Sequence, residues 1–195
     1  MADNYLERRM EDYRSGSRNT PRRAPRLPKK SVLKILIVAE PDEALHSIIA
    51  PLAAAGHRVA LAAPRSPLSS ATAQKGGARL FPDDFPLDAL FAQYEGYTDV
   101  LIMYRHPSPA ATVEAWLEAR SSLTDCPKHG RIILIDSPVE SLEETARQAA
   151  PMAATVNAMT AEGKPTAAVA DTLRWLMSPL ADHISGHSFV PDLVY

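Results

Sequence analysis

The hydrophobic pattern of the chain is clearest between residues 32 and 64. The run KILIVAE at residues 34–40 is continuous, apolar and rich in β-branched residues, which is typical of a parallel strand covered on both faces. Apolar residues then recur at helical spacing as far as Gly56, a residue suited to a helix C-terminus. This helical stripe consists of Leu45, Ile48, Ile49, Leu52 and Ala53. A second strand, HRVALAAP, follows at once, so the pattern predicts a right-handed βαβ unit.

Strands and helices alternate through the rest of the chain. Further strands are predicted at residues 78–82, 98–105, 131–137 and 153–159, and further helices at 87–94, 110–123, 141–150 and 165–177. The segment SFVPDLV at 188–194 is a candidate terminal strand. The polar Pro/Ser/Ala stretch after residue 64 has no clear periodicity and is assigned neither a helix nor a strand. The alternation predicts a doubly wound, Rossmann-like α/β fold, with a parallel sheet and helices on both faces.

Charge divides the chain into a basic arm at residues 1–30 and a domain at 31–195. The arm carries nine basic and four acidic residues, a net of +5, which leaves −7 for the remainder of a chain whose formal net charge is −2. Its first part predicts a short helix with one apolar face, and residues 15–30 read as an extended linker. The apolar face consists of Tyr5, Leu6, Met10 and Tyr13. Since so short a helix is marginal alone, we expect it to dock on a neighbouring subunit.

Composition narrows the class of protein. A single cysteine, Cys126, excludes an internal disulfide framework, and no apolar run approaches the length of about 18 residues that predicts a membrane span. Nucleic-acid binding is not favoured, because the domain is acidic and no aromatic residues are interleaved with the arginines after Arg14. We expect a cytoplasmic protein that does not enter a membrane.

The turn after the first strand is unusual for a Rossmann-like domain. A dinucleotide-binding turn is rich in glycine, so that the backbone can approach a pyrophosphate at the helix N-terminus. Here the turn reads AEPDEALH, with no glycine and three carboxylates, Glu40, Asp42 and Glu43. These acids would repel a phosphate. Carboxylates clustered in this way also suit a metal ion, which keeps open a flavodoxin-like ligand-binding or regulatory domain.

The C-terminal third resembles the short-chain dehydrogenase/reductase family. The segment TVNAMTAEG at residues 155–163 is similar to that family's V-N-x-x-x-P-G strand and loop, and residues 169–195 are similar to its last helix, loop and closing strand. Within that loop the S-x-x-A-x-x-I-x-G spacing is matched by Ser178, Ala181, Ile184 and Gly186. The resemblance implies the Rossmann-like fold, shortened relative to a full member, and a relation to NAD(P)-dependent oxidoreductases.

The chemistry of that family is largely missing. The G-x-x-x-G-x-G cofactor turn is absent, MYRHP at residues 103–107 replaces the N-N-A-G segment, and no tyrosine has a lysine four positions later. A carbonyl reductase needs that pair as its proton donor and needs the turn to position its cofactor. We therefore expect neither a catalytic site nor a cofactor. Remnant candidates are Ser137 at the catalytic-serine position, Tyr104 and His106 for a ligand pocket, and Arg65 for the 2′-phosphate of NADP.

Two readings of function follow from the resemblance. The first is a non-catalytic subunit that associates with itself or with an active short-chain dehydrogenase/reductase, and the second is a divergent NAD(P)-dependent oxidoreductase that uses Ser137. In the resembled family the last helix and strand form a principal subunit contact. The interface residues predicted here are Leu173, Leu176, Phe189 and Val190, together with the four apolar residues of the arm.

Overall fold

The structure is a computed structural model with a seven-stranded parallel sheet. It describes residues 32–82, 99–121, 129–138, 142–164 and 166–191. The strands are β1 (Lys34–Ala39), β2 (Arg58–Ala63), β3 (Arg79–Pro82), β4 (Val100–Tyr104), β5 (Gly130–Ile135), β6 (Ala154–Met159) and β7 (Ser188–Phe189). Their spatial order is β3-β2-β1-β4-β5-β6-β7, and every neighbouring pair is parallel. The predicted doubly wound fold is confirmed.

The strand order decides between the two kinds of doubly wound fold that the sequence left open. In a flavodoxin-like sheet the chain order is 2-1-3-4-5, so the third strand lies next to the first. Here β3 lies at the far edge beyond β2, and β1 lies between β2 and β4. The flavodoxin-like alternative is therefore wrong. The order reverses between β1 and β4, which makes their carboxyl ends the switch point of the sheet.

The central strands are buried because helices cover both faces of the sheet. The described residues include five α-helices: α1 (Leu45–Ala54), α2 (Pro67–Gly76), α3 (Pro109–Ser121), α4 (Leu142–Ala149) and α5 (Thr166–Leu176). Apolar residues of α1, α2 and α5 pack with one set of alternating strand residues, and those of α3 and α4 pack with the other set. The continuous apolar runs in the sequence follow from this two-sided burial. No helix in the described part of the chain is long and apolar enough to span a membrane.

Helix α2 corrects the assignment of the stretch after β2. Ser66 caps it by accepting the backbone N–H of Ser69 at 3.0 Å, Pro67 opens the first turn, and Gly77 ends it with φ of 73°. These are standard helix start and stop signals. The apolar periodicity is weak because the buried face of the helix consists of small or polar residues, which are Ser69, Thr72, Ala73 and Gly76. A Cβ atom at Gly76 would lie 2.5 Å from Cγ2 of Ile49 in α1.

The C-terminal segment also differs from the prediction. Leu173 and Leu176 are 1% and 2% exposed and belong to the chain's own core. Their assignment to a subunit interface is wrong, because the apolar stripe of α5 covers the chain's own sheet. Strand β7 contributes only two residues to the sheet, and Val190 directly after it is 56% exposed.

Several predictions concern residues outside the described segments. These are the arm residues Tyr5, Leu6, Met10 and Tyr13, the helix at 87–94, Cys126 and the last four residues. They stay predictions. The other predicted strands, and the helices over 110–123, 141–150 and 165–177, are confirmed with bounds shifted by a few residues.

Candidate functional site

The candidate site lies at the carboxyl ends of β1, β4 and β5, where doubly wound sheets bind ligands. Two aspartates organise it: Asp42 follows β1 and Asp136 follows β5. Each is near Arg105, which follows β4 and places its guanidinium between them. Arg105 and Asp136 both have positive φ, 49° and 48°, a conformation that non-glycine residues seldom adopt and that is common at ligand sites.

Asp42 is hydrogen-bonded at both carboxylate oxygens. Its Oδ1 accepts the backbone N–H groups of Ala44 and Leu45, at 2.9 and 2.8 Å, where α1 begins. Its Oδ2 accepts the Tyr104 hydroxyl at 2.8 Å and Nη1 of Arg105 at 2.7 Å. The helix N-terminus that would receive a phosphate thus already holds an anion, which is one of the chain's own side chains.

Tyr104 is buried under this network. Its side chain is 2% exposed, and the Arg105 guanidinium carbon lies 5.2 Å from its ring centroid. Burial raises the pKa of the phenol above its ordinary value, and the hydrogen bond to Asp42 raises it further. A phenol with a raised pKa that already donates to a carboxylate is a poor proton donor for a substrate carbonyl.

Ser137 and His106 connect the ends of β4 and β5 through hydrogen bonds. The Ser137 hydroxyl lies 3.1 Å from the carbonyl oxygens of Met103 and Ile135 and accepts the His106 backbone N–H at 3.1 Å. The His106 ring accepts the Ser108 N–H at 3.3 Å, and burial lowers its pKa. The Ser137 proton is directed at a backbone carbonyl, so this serine acts as a connection between strands.

Asp136 is partnered differently from Asp42. Its Oδ1 accepts the backbone N–H groups of Ala161 and Glu162, at 2.8 and 3.2 Å, and so ties β5 to the loop after β6. Its Oδ2 is buried and has no hydrogen-bond partner among the described residues. Nε of Arg105 is 3.9 Å away from it, too far for a hydrogen bond.

Two cavities open near these residues. The larger, about 390 Å³, lies between α3 and α4 and has mainly apolar walls that include Val113, Leu134 and three prolines. The smaller, about 190 Å³, which we call the Asp136 cavity, lies between the starts of α1 and α5. The polar residues that line it are Ser47, Tyr104, Arg105, Asp136, Glu162, Lys164 and Thr166.

The structure brings together Tyr104, His106 and Ser137, but it places Arg65 elsewhere. Arg65 is exposed after β2, which is separated from β4 by β1. The predicted metal reading of Glu40, Asp42 and Glu43 is not supported. Within the described segments no group of three or more His, Cys, Asp or Glu side chains is arranged to hold a metal ion, and Asp42 is engaged by Tyr104 and Arg105.

Sequence reasoning missed the roles of Asp42, Arg105 and Asp136. One signal was available, since Asp42 stands three residues before Leu45, the first residue of the apolar helical stripe, where a capping side chain belongs. No pattern in the sequence pointed to Arg105 or Asp136, because their backbone conformation and their contacts depend on residues that are distant in sequence.

No family model and no curated protein match the sequence. Solved structures do match its fold. A short-chain dehydrogenase/reductase from Burkholderia thailandensis is 14% identical with a TM-score of 0.58, covering 83% of this chain and 92% of its own. BdcA from E. coli is 18% identical with a TM-score of 0.54, covering 82% and 97%. An NAD+-bound xylitol dehydrogenase is 12% identical with a TM-score of 0.54, covering 82% and 98%. The chain therefore has the Rossmann-like fold of the short-chain dehydrogenases/reductases.

Proposed function

We propose that this chain is a non-catalytic short-chain-dehydrogenase-like subunit that acts by associating with a second copy of itself or with an active member of that family. One observation carries the proposal. The Asp42 carboxylate accepts two backbone N–H groups at the start of α1, where this fold receives a dinucleotide phosphate. A phosphate there would meet a fixed negative charge.

The remnant catalytic candidates support the same reading. The hydroxyl of Tyr104 donates to Asp42, and that of Ser137 connects two strand ends. Hydride transfer to a carbonyl needs a proton donor within reach of the substrate oxygen. Neither hydroxyl is available for that role, and the sequence lacks the tyrosine–lysine pair.

The alternative function is a divergent NAD(P)-dependent oxidoreductase. Its support is the fold, shared with solved oxidoreductases, and the exposed position of Arg65 directly after β2, where an arginine suits the 2′-phosphate of NADP. A dinucleotide bound through Arg65 would still have to displace Asp42 from the start of α1. The two functions therefore predict opposite results for NADPH binding.

The surface for association lies on the C-terminal segment. Trp175 is 37% exposed and packs edge-on against Phe189, with ring centroids 5.5 Å apart. Leu180 and Val190 are 70% and 56% exposed. Contiguous exposed apolar side chains mark interaction sites, and the contact between Trp175 and Phe189 is the start of such a patch. They replace Leu173 and Leu176 as the residues of the proposed contact, with Phe189 and Val190 retained.

The test is to change only exposed side chains of this segment. A variant with both Leu180→Asp and Val190→Asp should lose its assembly in native mass spectrometry and keep its circular dichroism spectrum, because each change puts a charge into the contact but none into the core. Leu68→Asp, on α2 and 41% exposed, is the matched control and should assemble normally. An unchanged assembly mass in the double variant would contradict the proposed contact.

A further inference from the structure

The larger of the two cavities, which we call the α3–α4 cavity, lies under helices α3 and α4. Its floor is formed by Val113 of α3 and Leu134 of β5, which are 3% and 2% exposed. Both belong to the part of the core that packs with α3 and α4. Asp42, Tyr104 and Arg105 do not line this cavity, so it is separate from the network at the strand ends.

The cavity exists because the two helices bring little side-chain volume to this place. The buried residues of α4 are Ala146 and Ala149, which have the smallest apolar side chains. On α3 the large buried residues Trp116 and Leu117 follow one turn after Val113 and do not line the cavity. Three prolines complete its walls with rigid apolar rings. Its volume of about 390 Å³ lies within the roughly 300–1,000 Å³ of pockets that hold small molecules.

The charge of the walls limits the ligand. Glu144 is the one ionisable side chain among the described residues that line the cavity. Its carboxylate accepts Nη1 of Arg147 and Nε2 of Gln148, so residues of its own helix already partner it. A ligand carboxylate or phosphate would be repelled by Glu144, and a ligand ammonium would have to compete with Arg147. The walls therefore favour an uncharged ligand.

Two polar groups at the rim can orient such a ligand. Because Nε2 of Gln148 donates to Glu144, the amide oxygen of Gln148 is an acceptor for a ligand hydroxyl. Ser108, exposed directly before α3, adds a hydroxyl that can donate or accept. The cavity thus combines an apolar floor with hydrogen-bonding groups at its edge, which is the usual composition of a small-molecule site.

We propose that the α3–α4 cavity binds a small uncharged molecule with an apolar ring and one hydroxyl group. The ring lies on Val113 and Leu134 between the prolines, and the hydroxyl donates to the amide oxygen of Gln148. The proposal goes beyond the function proposed above and does not depend on it, since it requires neither a cofactor nor a partner subunit.

The probe is phenethyl alcohol, titrated into the full-length protein by isothermal calorimetry. We expect a single site with a dissociation constant below about 1 mM. Phenylacetate and phenethylamine keep the ring but carry a negative and a positive charge, so each should bind at least about tenfold more weakly. A dissociation constant above about 1 mM for phenethyl alcohol, or equal binding of either charged compound, would contradict the proposal.

Variants locate the site. Ala110 is exposed in the first turn of α3 and lines the cavity, so Ala110→Trp should fill part of it and weaken phenethyl alcohol binding at least about tenfold. Ala111→Trp, at the next position of α3, is exposed and does not line the cavity; it is the matched control and should bind normally.

A second variant tests the opposite wall. Gln148→Leu removes the acceptor for the ligand hydroxyl at an exposed position of α4, and it should weaken binding at least about threefold. It also serves if Ala110→Trp does not fold, which circular dichroism would show. Parent-like affinity in Gln148→Leu or in a folded Ala110→Trp would overturn the assignment.

Discussion

Asp42 and Asp136 occupy similar places at one edge of the sheet, but their second carboxylate oxygens have different partners. Each follows a buried strand, and each uses Oδ1 to accept two backbone N–H groups. Oδ2 of Asp42 accepts two further donors, from Tyr104 and Arg105, whereas Oδ2 of Asp136 accepts none from the described residues. Both oxygens of Asp42 are therefore hydrogen-bonded within the chain, whereas one oxygen of Asp136 accepts no hydrogen bond from the described residues. We infer that Asp42 stands where a dinucleotide phosphate would lie, whereas Asp136 keeps one oxygen without a hydrogen bond among the described residues.

The largest expected effect comes from Asp42→Asn. The amide can keep its oxygen on the N–H groups of α1 only by turning its NH₂ towards Tyr104 and Arg105, which are donors as well. We expect a loss of about 2–3 kcal/mol in the free energy of unfolding, measured by urea denaturation. Glu43→Gln, exposed one residue later, is the control and should stay within about 0.5 kcal/mol of the parent.

Tyr104→Phe should have an intermediate effect. It removes one of the two donors to Oδ2 of Asp42 and leaves Arg105 in place, so we expect a loss of about 1–2 kcal/mol. If the unfolding free energy does not change, the Tyr104 hydroxyl does not hold Asp42.

The same variant tests the raised pKa of Tyr104. In the unfolded chain a tyrosine ionises at about pH 10, and in the folded protein Tyr104 keeps its proton to higher pH. Its contribution to stability is therefore complete below about pH 10 and is lost as the pH rises through the folded pKa. The parent should lose stability between about pH 10 and 11 more steeply than Tyr104→Phe. Parallel curves for the two proteins would contradict the assignment.

Asp136→Asn should have the smallest effect on stability. The amide oxygen can accept the N–H groups of Ala161 and Glu162, and the NH₂ takes the place of an oxygen that has no hydrogen-bond partner among the described residues. We expect a change below about 1 kcal/mol in either direction, again by urea denaturation. If Asp136→Asn costs as much as Asp42→Asn, the two aspartates are equally satisfied and the contrast between them fails.

The sequence predicted the sheet well because two-sided burial imposes continuous apolar runs, such as the one that became β1. It predicted α5 and its apolar stripe, but not what the stripe covers, since Leu173 and Leu176 would look the same against a partner as against their own sheet. It missed α2, because the buried face of this helix consists of small or polar residues and gives only a weak apolar signal; these residues are Ser69, Thr72, Ala73 and Gly76.

The candidate site was harder to predict than the fold. The sequence shows that the turn after β1 lacks glycine and contains three carboxylates. The roles of these carboxylates could not be predicted from it. Asp42 and Tyr104 are 62 positions apart in sequence, and Arg105 lies near both Asp42 and Asp136 only because three strands end together. These contacts result from the topology of the sheet, and the local spacing of residues in the sequence does not predict them.

We propose that Asp42 has taken the place of a dinucleotide phosphate. Calorimetric titration of the full-length protein with NADPH and with NADH tests it most directly, using an active short-chain dehydrogenase/reductase as the positive control. We predict that neither cofactor binds with a dissociation constant below about 1 mM. A micromolar constant for either one would contradict the claim and would favour the divergent oxidoreductase.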